Sequence, residues 1–184
     1  MKKTVVTRIW FLIVAGALGA AAGGCSSTAT PNQEPPAPTI SLELRNDGAQ
    51  SVYLFENCIL SYTITALADP VHEITRVDGC ACMCGSTCAF CGACAQHPVE
   101  VAAGTAMTDN WQAVGFTTET NPASAGGGVC FRAQMLPSGS YRIDVPVYTS
   151  SDAAAAGTSA RTATQTFTLP APADHVAVAL GVSP

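Results

Sequence analysis

The stretch "LPSGSYRIDVPVY", residues 136–148, opens on a Pro137–Gly139 turn and then sets Tyr141, Ile143, Val145 and Val147 on one face. A period of two over that length marks a strand with one buried face, because successive side chains of an extended chain point to opposite sides. Pro146 lacks the N–H that a ladder needs, so it predicts an edge strand or a bulge. The same period recurs on both sides of this stretch. "ISLELR" from Ile40 alternates Ile40, Leu42 and Leu44 against polar neighbours, and "NDG" at Asn46–Gly48 supplies turn chemistry before "SVYLF". "ILSYTITAL" from Ile59 and a weaker "VHEITRV" from Val71 follow, then "PVEVAAG", "WQAVGF" and "VCFRAQ". "TATQTFTL" and "VAVALGV" close the chain, the latter with Val176, Val178, Leu180 and Val182 in strict alternation. Eight or nine short strands with Gly and Pro turns, and no amphipathic helix, predict an all-β protein: an antiparallel, Ig-like β-sandwich.

The likeness to immunoglobulin domains holds in the broad sense only. Cys58, Trp111 and Cys130 come in the order Cys, Trp, Cys, yet the tryptophan lies far from the first cysteine, and Gly128 stands where a tyrosine corner belongs. Cys58 and Cys130 are nevertheless expected to pair, closing a loop of roughly seventy residues that contributes about 4 kcal/mol by loop-closure entropy. Trp111 is expected in the core.

Ahead of the strands, Lys2, Lys3 and Arg8 precede an apolar run from Ile9 to Ala22 that ends in small residues, the three parts of a secretory signal. The run is shorter than the roughly twenty residues needed to span a bilayer, which predicts a cleaved leader over residues 1–24. "AAGGCSS", Ala21–Ser27, resembles the lipobox of bacterial lipoproteins, with Ala22 where leucine is commonest and Gly23 where alanine or serine is typical. The resemblance implies lipidation at Cys25, a palmitate-bearing lipid anchor of several acyl chains, and membrane attachment. At about 0.8 kcal/mol per buried methylene that attachment is effectively permanent. Ser26, in place of aspartate, resembles lipoproteins sorted to the outer membrane. Residues 25–38 read as the lipidated cysteine followed by a Pro-rich tether, long enough to hold a domain on the order of 40 Å from the membrane. The β-sandwich domain would occupy residues 39–184. An ordinary secretory cleavage nearby, with Cys25 free or joined to the disulfides, is the other reading of the same residues.

Charge narrows the partners. The chain has eight Lys and Arg against thirteen Asp and Glu. With Lys2, Lys3 and Arg8 removed, only Arg45, Arg76, Arg132, Arg142 and Arg161 face the thirteen carboxylates, a net charge near −8. A domain so acidic and without a basic cluster is unsuited to nucleic acid or anionic lipid, which are bound by neutralising phosphates. No GxSxG, HExxH, P-loop or dinucleotide fingerprint is present. His72, His97 and His175 are scattered along the chain, and His72 beside Glu73 and His175 beside Asp174 read as exposed strand-end residues and not as general bases. The expectation is a protein that is not an enzyme.

The densest chemistry is "CACMCGSTCAFCGAC", with Cys80, Cys82, Cys84, Cys88, Cys91 and Cys94 inside an insertion over residues 78–98. In an exported chain, closely set thiols oxidise, which predicts a disulfide-stapled loop. Strain in adjacent CxC pairing favours bridges between the early group (Cys80, Cys82, Cys84) and the late group (Cys88, Cys91, Cys94). With Cys25 lipidated, the nine cysteines leave an even eight for disulfides. The alternative is a metal site: Cys88, Cys91, Cys94 and His97 recur every three residues and offer a tetrahedral set for Zn(II), or thiolates for Cu(I). A redox role for the CxxC pairs lacks the helix N-terminus that lowers a thiol pKa. Together with "SLELRNDGAQSVYLFENC", "VEVAAG", "CFRAQMLPSGSYRIDVPV" and "FTLP", the cysteine segment resembles a group of cysteine-rich bacterial lipoproteins of unassigned role. That likeness implies fold and location only. The functional expectation is a membrane-anchored, non-enzymatic interaction or cell-envelope structural module at the periplasmic or surface face, its insertion a contact surface, with Met83, Phe90 and Met135 as candidate apolar contacts and core packing as the plainer reading of Phe90 and Met135. Its rival is a Zn- or Cu-binding envelope protein.

Overall fold

A computed structural model describes residues 37–86, 93–120, 128–158, 161–171 and 174–181, all within the compact unit Pro36–Pro184. The leader, Cys25, most of the tether, Cys88, Phe90 and Cys91 lie outside the described residues. The described chain is all-β, in twelve strands and one short helix. The strands are β1 (Thr39–Arg45), β2 (Val52–Asn57), β3 (Ile59–Leu60), β4 (Thr63–Ala66), β5 (Asp69–Glu73) and β6 (Gln96–Val101). After them come β7 (Ala106–Gln112), β8 (Val114–Thr120), β9 (Val129–Met135), β10 (Gly139–Val147), β11 (Arg161–Leu169) and β12 (His175–Ala179).

These strands form four ladders, in the orders β12-β1-β7, β11-β10-β4-β5, β3-β2-β6 and β8-β9. The alternation read from the sequence is what packs. Ile40, Leu42 and Leu44 of β1, Tyr141, Ile143, Val145 and Val147 of β10, and Val176 and Val178 of β12 all enter one buried cluster. Each such aliphatic side chain contributes roughly 1.5–3 kcal/mol on burial. Trp111 of β7 meets Phe167 of β11 edge to face at 6.1 Å, so side chains of the first two ladders touch across the core.

Three expectations change. Pairing is not wholly antiparallel: β1 runs parallel to β12, because the first and last strands meet side by side without a hairpin between them. The β10 strand is interior to its sheet, and Pro146 is accommodated differently. It stands between the last β4 pair, Asp144 with Thr63, and the bridge of Tyr148 to Tyr53, a point at which that side of the strand has no ladder partner. "WQAVGF" is divided between β7 and β8, with Ala113 at the break.

The helix α1 (Ser151–Ala155) is a single capped turn, with the Ser150 hydroxyl accepting from the Ala153 N–H at 3.1 Å. The "NDG" turn has a buried centre. Asn46 donates its amide to the carbonyls of Gln50 (2.8 Å) and Val101 (2.9 Å) and accepts from the Gly48 N–H (3.1 Å). A Cβ on Gly181 would come 2.4 Å from the Gly48 nitrogen, so β12 can close over this turn only through a residue without a side chain.

Candidate functional site

The cysteine framework differs from the expected pairing. Cys58 bonds Cys94, and Cys84 bonds Cys130, with Cα separations of 5.1 and 4.9 Å. The predicted Cys58–Cys130 bridge is absent because β2 and β6 are paired, Asn57 facing Gln96, which sets Cys58 beside Cys94. Cys130 lies on β9, against the cysteine segment. There the Cys84 N–H donates to Phe131 O (2.9 Å), the Phe131 N–H donates to Cys82 O (2.8 Å), and Met83 bridges Phe131 in parallel. Cys84 and Cys94 therefore reach outward to the strands and do not close on the opposite half of the cluster. Cys80 and Cys82 are disulfide-bonded too.

Those bonds bear on the alternative metal set. Cys94 is committed to Cys58, and His97 is exposed on β6 opposite Glu56, while Cys88 and Cys91 lie outside the described residues. The sulfurs of Cys58 and Cys94 and the Asp78 carboxylate lie within 4.8 Å of one another, but two sulfurs bonded together present no thiolate to an ion. The other histidines are held apart. His72 on β5 pairs with Asp69 at 2.9 Å, and His175 on β12 reaches Glu43 at 3.1 Å, so neither takes the adjacent Glu73 or Asp174 named by sequence proximity. Met83 is half-buried, and Met135 remains 43% exposed.

A site that sequence reasoning missed surrounds Arg76. A cleft of about 520 Å³ opens between β3 and the outer edge of β7, within the roughly 300–1,000 Å³ typical of ligand sites. Arg76 forms part of its wall and of two neighbouring depressions. The guanidinium carbon stacks 3.4 Å above the Tyr62 ring. Its nitrogens donate to the carbonyls of Leu60 (2.8 Å) and Tyr62 (3.2 Å). The Tyr62 hydroxyl crosses the cleft floor to donate to the Asp109 carboxylate on β7 at 3.0 Å.

Burial sets the electrostatics here. Desolvation raises the Tyr62 phenol well above its ordinary value, Arg76 partly opposes that rise, and Asp109 adds to it. Desolvation lowers Arg76, with Tyr62 and Asp109 opposing. Three other arginines differ: Arg45 pairs with Asp47, Arg132 with Glu119 and Arg142 with Asp144, whereas Arg76 has no carboxylate within 4.0 Å among the described residues. No motif could have disclosed this arrangement. Arg76 sits in the weakest of the alternating runs, and its neighbours Tyr62 and Asp109 are set beside it by tertiary packing alone.

The class these observations define is a disulfide-bonded all-β domain with an arginine-walled cleft. No protein-family model, curated protein or solved structure matches this chain.

Proposed function

We propose that the chain is an exported, lipid-anchored interaction module of the bacterial cell envelope. In this reading residues 1–24 are the leader, Cys25 carries the lipid, residues 25–38 are the tether, and the outer membrane is the destination. The observation that carries the reading is the oxidised state of the cysteines: Cys58, Cys80, Cys82, Cys84, Cys94 and Cys130 are all disulfide-bonded, a condition kept by exported proteins and rare in the cytosol. The acidic surface agrees with a protein partner and not with nucleic acid.

The domain reads as an Ig-like sandwich in the broad sense. Supporting that are the Trp111–Phe167 contact between two ladders and a bond from the Tyr141 hydroxyl to Pro137 O at 2.7 Å. The latter has the form of a tyrosine corner, displaced to the start of β10 from the position expected at Gly128. Function then belongs to binding, through the Arg76 cleft and the stapled cysteine segment, and no catalytic step is assigned.

Cys25→Ala tests the anchor. In cells fed an alkyne-tagged fatty acid, the wild-type chain takes up label and sediments with membranes, while the variant does neither. An unlabelled wild-type chain, or a variant that still sediments with membranes, contradicts the reading.

A further inference from the structure

The outer edge of β7 is the feature that gives the Arg76 cleft a ligand class. The Ala113 N–H donates to Pro38 O and the Asn46 N–H to Thr105 O, each at 2.9 Å. Odd-numbered residues of β7 therefore turn their backbone groups toward β1, and Thr108, Asn110 and Gln112 turn theirs away. Among the described residues no strand follows β7 in its sheet. The Asn110 N–H is occupied by the Asp109 carboxylate at 2.9 Å, whereas among the described residues the N–H groups of Thr108 and Gln112 meet no acceptor. On the facing strand, Arg76 caps the Leu60 carbonyl. The cleft thus joins one open strand edge to one cation that has no carboxylate within 4.0 Å among the described residues.

We propose that this cleft binds an extended peptide that adds as a strand to the edge of β7 and places one carboxylate on Arg76. Backbone hydrogen bonds to an open edge supply affinity in strand addition, and side-group pockets supply selection. A guanidinium has five N–H donors in a planar fork, and protein carbonyls occupy two of those on Arg76, which leaves donors for a carboxylate. Asp109 and Glu56 also line the cleft, so a dianion such as phosphate is repelled more strongly than a singly charged carboxylate. The inference rests on the reading of the chain as an interaction module and is independent of the lipid anchor, so the two tests fail separately.

The test presents the full chain, solubilised in detergent, to three immobilised sets of random octapeptides: free C-termini without Asp or Glu, amidated C-termini with one Asp or Glu, and amidated C-termini with no acid. Retention is expected from the first or second set and not from the third, and the contrast between the first two identifies whether the carboxylate is terminal or a side chain. Retained peptides are expected to lose at least tenfold in affinity for Arg76→Gln and for Thr108→Pro. Thr108→Pro removes an outward N–H that meets no acceptor among the described residues, at an edge-strand position that tolerates proline, so it keeps the test valid if Arg76→Gln fails to fold. Slowed amide exchange at Thr108 and Gln112 on binding is the structural readout. No retention, equal retention from all three sets, or retention unchanged in Thr108→Pro overturns the proposal.

Discussion

Asn46 shows how one polar residue can hold a turn inside a core. Its side chain is 1% exposed and serves two carbonyls and one N–H from three different residues. Replacing it by leucine leaves the Val101 carbonyl buried without a partner, at about 1–3 kcal/mol, and leaves the part-buried Gln50 carbonyl and Gly48 N–H to water at a smaller cost. We expect Asn46→Leu to lose roughly 2–4 kcal/mol, read as a lower urea midpoint at unchanged slope. A loss below about 0.5 kcal/mol would show that the turn holds without it. Tyr62 predicts a pH effect. A phenol whose folded pKa is raised stabilises the fold fully below its unfolded value near 10, and that contribution is lost as pH rises toward the folded value. Wild-type stability should therefore fall above about pH 10, and Tyr62→Phe should flatten that decline; identical alkaline profiles for the two would sink the assignment.

At the scale of elements, the cysteine segment behaves as an appendage of the strands. Its Cys84 end is fixed to β9 and its Cys94 end to the β2–β3 corner, where Cys58 adopts a positive φ of 62°. Each bridge closes a loop of 36 or 46 residues and contributes about 4 kcal/mol in the loop-closure account. Removing Cys84 and Cys130 together, both to serine, should cost roughly 2–4 kcal/mol. It should also speed amide exchange at Cys82 through Cys84 and at Phe131, while β1 and β10 stay protected. Uniform acceleration across all strands would mean that the bridge supports the whole fold and does not simply dock the segment. The strands themselves were legible where one face is fully buried, as in β1, β10 and β12, because burial imposes the period of two. They were illegible where burial is weak: β5 is exposed throughout, and "AMTDN" in β7 has no apolar alternation, so only the ladder with β1 identifies it as a strand.

For the whole molecule, the cysteine-rich segment was recognisable and its connectivity was not. Spacing alone makes neighbours in sequence look like partners, whereas the register of β2 with β6 and the docking of Cys82–Cys84 on Phe131 decide which sulfurs meet. The Arg76 cleft was hidden for the same reason, being assembled from segments that approach one another only after the sheets pack. The most direct measurement is disulfide mapping by mass spectrometry on the protein exported to an oxidising compartment and alkylated before digestion. The account predicts linked peptides joining Cys58 to Cys94 and Cys84 to Cys130, with no alkylated thiol at any of the four. A Cys58–Cys130 linkage, or alkylated thiols at Cys94 accompanied by stoichiometric zinc or copper, would contradict it.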